Sequence, residues 1–186
     1  MANHALLNNI EHQDLKINTE KSAAFGNDQM YSMLFPFEFK HAQADYPIFF
    51  HKDNKTGQFV ALALFGFEQQ ENLFLQAGEW QASYIPMMVE REPFLIGSQQ
   101  QEINGEIVDH PVIHIDLDSP RVNKESGQAL FLPHGGNSEY LNKISATLKA
   151  IHESKISTEQ FMNTVTELSL LEPFNLDIRL SDGSDH

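Results

Sequence analysis

Residues 46–65 carry the sequence YPIFFHKDNKTGQFVALALF, and this stretch decides the fold class. Two short apolar runs flank a polar segment, residues 53–57, that is rich in turn formers, which is the pattern of an antiparallel β-hairpin. A second polar break leads to another apolar run at residues 73–75. Consecutive strands with short turns favour an antiparallel meander, because a parallel sheet needs a crossover helix between strands. We therefore expect an α+β fold built on an antiparallel β-sheet meander.

The segment before this block divides into a polar part and an aromatic part. Residues 1–30 are polar and weakly periodic, so we expect an amino-terminal arm, followed by a single domain over residues 31–186. Within residues 34–39, three phenylalanines alternate with other residues, the period of a half-buried strand. Pro36 restricts that strand to a sheet edge or to its own first residues.

The middle of the chain predicts short elements separated by polar connections. We expect a short helix over residues 82–91 and a strand at residues 94–96. The glutamine-rich residues 98–102 predict an exposed loop. Residues 112–118 alternate aliphatic and polar side chains and predict a half-buried strand. A long loop is expected over residues 119–136.

The carboxy-terminal third predicts two amphipathic helices and a closing strand. The second helix is expected to begin at Ser157, an N-cap residue whose capping-box partner is Gln160. Residues 174–180 alternate apolar and polar side chains and predict the closing strand. The first helix has apolar side chains at steps of three and four, the spacing of one helix face: Leu141, Ile144, Leu148 and Ile151.

The composition excludes several classes of function. The chain has no cysteine, and therefore no disulfide framework, thiolate zinc site or cysteine nucleophile. Its formal net charge of -14, without a basic stripe, disfavours nucleic acids and anionic membranes as partners. Residues 1–18 lack the pattern of a secretory signal, and no apolar run is long enough to span a bilayer. We expect a cytoplasmic protein, or one exported by a route that needs no amino-terminal signal.

The sharpest candidate for chemistry is the pair His114 and Asp116, with Asp118 on the same side of the expected strand. A histidine and a carboxylate two residues apart supply two ligands of the facial triad of non-haem iron enzymes. The third ligand would be His134, which is close in sequence, or His152 on a helix. The alternative, which we favour, is that these side chains form the solvent side of a strand. We assign no metal ligand, cofactor or catalytic residue.

A second candidate is a binding surface. Trp80 is the only tryptophan, and Tyr84, Met87 and Met88 follow it closely. Aromatic and methionine side chains are common in protein and ligand contacts. The alternative is that the same side chains pack the strands against the following helix. The sequence contains neither the Gly-x-Ser-x-Gly pattern of serine hydrolases nor the glycine-rich patterns of nucleotide sites.

Several segments, in the same order along the chain, give the sequence a resemblance to the SapC family of bacterial proteins, which is named for an S-layer-associated member. The likeness runs from about Phe35 to the carboxy terminus. It is carried by Tyr46-Pro47-Ile48, residues 57–66, residues 71–74, Trp80 with Tyr84-Ile85-Pro86, Arg91-Glu92-Pro93-Phe94, residues 115–120, residues 170–173 and Asp182-Gly183.

The resemblance implies a non-catalytic accessory or protein-binding domain of a bacterial envelope or surface-layer-associated system, with a protein partner. It leaves two alternatives: a metal-dependent enzyme of the non-haem iron type at His114 and Asp116, and a partner subunit of a flavin-dependent halogenase-like enzyme. Family members often lack histidine at the position of His114, which weakens the first alternative. They also usually run past the position of His186, so the resemblance implies either a shorter variant of the family or a chain that lacks a carboxy-terminal segment.

Overall fold

The computed structural model describes residues 3–103 and 106–173, and within these ranges the fold is α+β with antiparallel strand pairing. This confirms the predicted fold class. The helices are α1 (Phe39–Ala42), α2 (Met87–Glu90) and α3 (Glu139–Glu167), with 3-10 turns at Ala23–Phe25 and Pro36–Glu38. The strands are β1 (His4–Leu6), β2 (Lys16–Ile17), β3 (Tyr31–Leu34), β4 (Ile48–Lys52), β5 (Phe59–Leu64), β6 (Leu75–Gln76), β7 (Glu79–Trp80), β8 (Phe94–Ile103), β9 (Glu106–Asp116), β10 (Val122–Asn123) and β11 (Gln128–Ala129).

The predicted hairpin at the centre of the chain is confirmed. β4 pairs antiparallel along its whole length with residues 59–63 of β5. The turn between them is held by Asp53, whose carboxylate accepts hydrogen bonds from the backbone N–H of Lys55 at 2.7 Å and of Thr56 at 3.3 Å. An aspartate that bonds its own following backbone is a common way to close a loop, which explains why this local signal was sufficient.

The third strand of this sheet differs from the one predicted. The order is β3-β5-β4, so β3 supplies the outer neighbour of β5. The run at residues 73–75 does not extend the meander, because Leu75 instead pairs with Trp80 in the two-stranded ribbon β6–β7. The phenylalanine alternation at residues 34–39 was also wrong as a strand. β3 ends at Leu34, and Pro36 begins a 3-10 turn because its fixed φ suits the first position of a helical turn.

A long hairpin, β8 and β9, forms a sheet with β1 in the order β1-β9-β8. The strand expected at residues 112–118 is confirmed as β9, which begins earlier, at Glu106, and ends at Asp116, so that residues 117–118 form a turn. The expected loop at residues 98–102 is wrong, because these residues continue β8 and pair with β9. Their side chains are exposed wherever described, so a polar sequence here marks a hairpin end that projects into water.

Two clusters of buried side chains form the interior. The first core lies under β8, β9 and the beginning of α3, and the second lies under the sheet β3-β5-β4. The first core consists of Leu15, Ile17, Phe94, Ile115, Leu130, Phe131, Leu141, Ile144 and Leu148. The second core consists of Leu34, Ala42, Tyr46, Ala61, Ala63, Phe65, Val89 and Met162.

A single helix joins the two cores. The prediction of two helices is wrong, because α3 is continuous over 29 residues. It begins at Ser138, whose hydroxyl accepts a hydrogen bond from the N–H of Leu141 at 3.1 Å. Ser157, the expected second N-cap, lies inside the helix and donates its hydroxyl proton to the carbonyl of Ser154 at 2.9 Å. With no glycine or proline from residue 139 to 167, nothing in the local sequence forces a break.

The amino-terminal segment takes part in the sheets. β1 pairs with β9, and β2 lies between β10 and β11. Leu15 and Ile17 are buried in the first core, so apolar side chains from this polar stretch help to build the interior. The division into an arm over residues 1–30 and one domain over residues 31–186 stays a prediction.

The remaining sequence predictions have mixed outcomes. The helix expected at residues 82–91 is confirmed only as α2, which begins directly after Pro86. The loop at residues 119–136 contains the short strands β10 and β11. The closing strand expected at residues 174–180 lies outside the described residues. Of the helices within residues 3–103 and 106–173, none has both the length and the apolar character of a membrane span.

Candidate functional site

Trp80, the tryptophan predicted to line a binding surface, is half-buried and packs against the second core. Its indole N–H donates a hydrogen bond to the hydroxyl oxygen of Tyr46 at 2.7 Å, and the Tyr46 hydroxyl donates to the backbone carbonyl of Tyr84. The Trp80 ring also packs edge-on against Phe65, with centroids 5.1 Å apart. Burial raises the pKa of Tyr46 to about 12, with the bond from Trp80 opposing this, so the phenol stays a neutral donor at physiological pH.

A buried carboxyl group, Glu38, closes this arrangement from the other side. It is 1 % exposed and accepts three hydrogen bonds: from the N–H of Phe35 at 2.8 Å, the N–H of Met87 at 2.9 Å and the hydroxyl of Tyr84 at 2.8 Å. Burial, followed by the bond to Glu38, raises the pKa of Tyr84 above its ordinary value. We call Glu38, Tyr46, Trp80 and Tyr84 the aromatic network.

The aromatic network places the four predicted binding residues in different surroundings. Trp80 and Tyr84 are joined through Tyr46, with their polar groups satisfied within the protein. Met87 takes part through its backbone N–H, and Met88 lines a cavity on the outer face of the neighbouring sheet. This geometry favours the packing alternative for Trp80 and Tyr84, because a satisfied buried donor has no bond to offer a partner.

Of the three predicted residues His114, Asp116 and Asp118, only the first two lie on β9, because the strand ends at Asp116 and Asp118 lies in the turn that follows. One carboxylate oxygen of Asp116 accepts hydrogen bonds from the N–H of Asn3 at 3.0 Å and of Asp118 at 3.1 Å. The His114 imidazole lies directly over Gly97, where an added Cβ would be only 2.3 Å from its Nδ1 atom. A side chain at position 97 would therefore displace the His114 ring, and this face is a packed surface at His114.

The described residues bring no group of three or more histidine, aspartate or glutamate side chains into an arrangement that holds a metal ion. His134 and His152 are thus not gathered with His114 and Asp116 within residues 3–103 and 106–173. The histidine–aspartate pair keeps its strand spacing, but its described surroundings offer no third ligand of the kind that a facial triad needs.

The densest collection of perturbed charged groups lies elsewhere, in a cavity between the two cores that sequence reasoning did not identify. Its volume is about 370 Å³. Trp80 and Ile85, which pack on the second core, line one part of it, and Tyr140, which packs on the first core, lines another. We call it the charged cavity, because its wall also contains Glu20, Lys21, Glu79, Glu90, Glu92 and Arg121.

Arg121 anchors the charged cavity. Its side chain is 2 % exposed, and one terminal nitrogen donates hydrogen bonds to the carbonyls of Asn18 at 3.1 Å and Glu20 at 2.8 Å. The other terminal nitrogen donates to the side-chain oxygen of Asn27. The guanidinium lies over the ring of Phe25, 5.2 Å from its centroid. The Nε atom is buried and has no hydrogen-bond partner among the described residues, which is unusual for a buried donor.

Lys21 and Glu90 form the paired part of the cavity wall. The Lys21 ammonium lies 3.7 Å from the Glu90 carboxylate, which also binds Lys143 at 2.5 Å. Desolvation by burial lowers the pKa of Lys21, with Glu90 opposing this. Burial acts to raise the pKa of Glu90, but Lys143 and Lys21 outweigh it and hold that pKa below its ordinary value.

Glu92 is a half-buried carboxylate of the cavity wall. Burial raises its pKa, and the positive charges of Arg121, Arg91 and Lys21 only partly oppose this. Its carboxylate forms no hydrogen bond or ion pair with any residue in the part of the chain that the structure describes. A carboxylate with a raised pKa in a cavity is a recognised mark of a functional site.

The outer face of the sheet β3-β5-β4 is the third notable surface. Tyr31 and Met33 on β3 are 51 % and 37 % exposed, and they stand beside the half-buried Val60 and Leu62 on β5. These four side chains line a shallow cavity of about 610 Å³, whose rim carries His51, Asp53, Lys55, Met88, Arg91 and Glu92. We call Tyr31, Met33, Val60 and Leu62 the open sheet face.

The residues that sequence reasoning missed owe their surroundings to contacts between distant parts of the chain. Glu38 stands in the alternating aromatic run of residues 34–39, and Arg121 follows a proline in an expected loop. Only Arg91 and Glu92 carried a signal, because they belong to a segment that supports the family resemblance. The contact of Arg121 with Asn27 spans 94 positions in the sequence, and no local pattern encodes such a distance.

Comparison with protein-family models gives one finding: the SapC family model matches residues 7–186. Neither the curated proteins nor the solved structures contain a match to the chain.

Proposed function

The chain belongs to the SapC family, and from this membership and the open sheet face we propose that it is a non-catalytic, protein-binding accessory of a bacterial envelope or surface-layer-associated system. The observation that carries the proposal is the apolar character of an outward sheet face. The inward residues of the same strands, Leu34, Ala61 and Ala63, are fully buried in the second core.

An antiparallel sheet with one packed face normally presents polar side chains on the other. On β3 the outward positions are Tyr31 and Met33, and on β5 they include Val60 and Leu62. Contiguous exposed apolar side chains with a polar rim are typical of protein interaction sites. Tyrosine and methionine are also among the residues enriched in protein interfaces. The composition of this face therefore supports docking of a protein.

The net negative charge of the chain supports a positively charged protein as the partner. The net charge of -14 produces a negative field around the whole molecule, which speeds the approach of positively charged proteins and repels acidic ones. The rim itself is mixed, with Lys55 and Arg91 beside Asp53 and Glu92. We therefore propose a partner with an apolar centre to its contact surface and a net positive charge.

The experiment begins with a photo-crosslinking residue at position 31 in the full chain, expressed in the bacterium that encodes it. Crosslinked proteins are identified by mass spectrometry, and affinity is then measured with the purified partner. We expect Met33→Asp to weaken binding about tenfold or more, the effect of losing a central contact. Ile107→Asp is the matched control, because Ile107 is 74 % exposed on a different sheet, and it should leave affinity unchanged.

The outcomes separate clearly. Affinity that falls with rising salt is expected for a partner attracted by charge. Identification of a flavin-dependent halogenase-like enzyme would instead favour the alternative in which the chain is a partner subunit of such an enzyme. Equal affinity for the wild-type protein and Met33→Asp, or equal crosslinking from positions 31 and 107, would contradict docking on the open sheet face.

A further inference from the structure

The outer half of the hairpin β8–β9 consists of two strands only. β1 pairs with β9 at residues 114–116, and one further bond joins the N–H of Leu7 to the carbonyl of Ile113 at 2.9 Å. Over residues 98–103 and 106–111, which we call the arm, every side chain that the structure describes is exposed. A two-stranded hairpin is marginally stable in water by itself. A further strand beside the arm would therefore stabilise it.

The outer edge of β8 has a regular row of outward backbone groups. In an antiparallel ladder, alternate residues turn both N–H and C=O away from the neighbouring strand. Phe94 is such a residue, because its N–H donates to the carbonyl of Arg91 at 2.8 Å and its carbonyl accepts from the Arg91 side chain at 2.6 Å. The register with β9 is continuous, so every second residue after Phe94 also points outward. These residues are Ile96, Ser98, Gln100 and Glu102.

This edge of β8 is unpaired and carries none of the usual obstacles to pairing. The outward backbone groups of these four residues form no hydrogen bond with any other residue that the structure describes. Charged residues, proline and bulges normally protect a free edge. Residues 94–101 contain no charge and no proline, and the pairing with β9 has no bulge. The outward row of β9 differs, because it includes Asp109 and Pro111.

The composition and spacing of β8 favour a second copy of the chain as the added strand. Glutamine is both donor and acceptor, so glutamine side chains on two copies of the same strand can bond each other. In a two-fold antiparallel pair centred on Gln99, Ile96 lies opposite Glu102, and Ser98 lies opposite Gln100. This register pairs all four outward residues of each copy, and it keeps the two Glu102 carboxylates apart.

We propose that the chain forms a two-fold symmetric dimer in which β8 of one copy pairs antiparallel with β8 of the other, centred on Gln99. The two β1-β9-β8 sheets then become one continuous sheet, and four strands run through the paired arms. The net charge of -14 on each copy opposes association. Salt screens this repulsion, so the dimer becomes more stable as salt rises.

Sedimentation velocity of the full chain over a wide range of concentration tests the dimer. We expect the dimer fraction to rise with protein concentration and with salt. Ser98→Pro removes an outward N–H that the pairing with β9 does not use, so it should weaken dimerisation about tenfold or more while the hairpin still forms.

A charge at the centre of the pairing gives a second variant with a matched control. Gln99→Glu places two carboxylates opposite each other and should also weaken the dimer about tenfold or more. Gln160→Glu is the same chemical change at an exposed position of α3, and it should leave dimerisation unchanged. Melting curves establish that each variant is folded.

Crosslinking tests the register. The chain has no cysteine, so one introduced cysteine is unique. Opposite residues of a non-hydrogen-bonded antiparallel pair have Cα atoms about 4.5 Å apart, which a disulfide can bridge. Gln99→Cys should therefore give a crosslinked dimer on mild oxidation with copper–phenanthroline. In the same register the two copies of position 102 are roughly 20 Å apart, so Glu102→Cys should stay uncrosslinked.

Three results would overturn the proposal. A chain that stays monomeric at every concentration and salt would leave the β8 edge to a strand of some other protein. A dimer that Ser98→Pro and Gln99→Glu do not weaken would place the interface elsewhere. Crosslinking through position 102 in place of position 99 would exclude the axis at Gln99. Docking on the open sheet face is independent of this pairing, because Met33→Asp should leave the dimer unchanged.

Discussion

The first core and the second core use buried side chains in different ways. The first core packs mainly leucine and isoleucine from segments that lie far apart in the sequence. The second core contains aromatic rings in edge-on contacts and encloses the aromatic network, in which Tyr46, Trp80 and Glu38 take part in hydrogen bonds. Both cores share one element, the helix α3.

This difference has a physical consequence for how each core specifies the structure. Aliphatic packing is non-directional, so a core of this kind tolerates changes that conserve volume. Hydrogen bonds between buried groups are directional, and a network of them fixes the positions of the segments that it joins. Glu38 connects the turn after β3 to the start of α2. The second core should therefore be the more sensitive of the two to removal of a single side-chain group.

The largest effect is expected from Glu38→Ala. The change leaves one buried and two partly buried donors without their acceptor, and since an unsatisfied buried donor costs about 1–3 kcal/mol, we expect a total loss of about 3–5 kcal/mol in the free energy of unfolding. For comparison, the loss of one buried methylene group in the first core, through Ile144→Val, should cost only about 0.5–1.5 kcal/mol. Urea unfolding measures both. A smaller loss for Glu38→Ala than for Ile144→Val would reverse the comparison.

A proline at position 159 should break the connection between the cores. Glu159 is exposed, and in two separate helices it would lie in the first turn, where proline is tolerated. In the continuous α3 it lies in the interior, so we expect Glu159→Pro to cost about 3 kcal/mol or more. Glu159→Ala should be nearly neutral. Wild-type stability of Glu159→Pro in thermal unfolding would instead support two helices.

The smallest effect concerns the charged cavity between the cores and depends on pH. The pKa of Glu92 is raised by burial, so the folded state binds its proton more tightly than the unfolded chain does. The contribution of Glu92 to stability therefore falls as pH rises from the ordinary glutamate pKa through the raised one. We expect Glu92→Gln to be more stable than the wild type at neutral pH, with the gain disappearing in acid.

The neighbouring Glu90 supplies the matched control for this pH dependence. Its pKa is lowered by Lys143 and Lys21, so its contribution to stability is present above the ordinary glutamate pKa and is lost as pH falls through the lowered value. We expect Glu90→Gln to be less stable than the wild type at neutral pH. Melting temperatures measured from acid to neutral pH test both variants, and shifts in the same direction would contradict the different environments of the two carboxylates.

Sequence reasoning succeeded where a signal is local. Asp53 and Gly57 close the β4–β5 turn. The strict alternation of aliphatic and polar side chains around Ile115 predicted β9. Sequence reasoning failed where one local pattern is compatible with two different local structures. The alternation at residues 34–39 fits a strand, yet Pro36 begins a turn that buries Glu38. Ser157 has the sequence of an N-cap, yet the helix continues through it because no residue there prevents helix formation.

The residues of the candidate site also divide into those with a signal in the sequence and those without one. The sequence drew attention to Trp80 because it is the only tryptophan, and the structure places its ring between the second core and the charged cavity. Nothing in the sequence distinguished Arg121 or Lys21 from other basic residues. Their importance arises from burial beside Glu90 and Glu92, and burial is a property of the assembled chain.

By itself, the sequence determined the fold class, the central hairpin, the strand at Ile115, the absence of cysteine chemistry and the resemblance to the SapC family. These follow from composition and from patterns a few residues long. Only the tertiary structure decided that Glu38 is a buried acceptor, that one helix joins two cores, and that Arg121 and Glu92 share a cavity. These depend on contacts such as that of Met87 with Glu38, 49 positions apart, where packing of distant segments sets the burial and partners of each group.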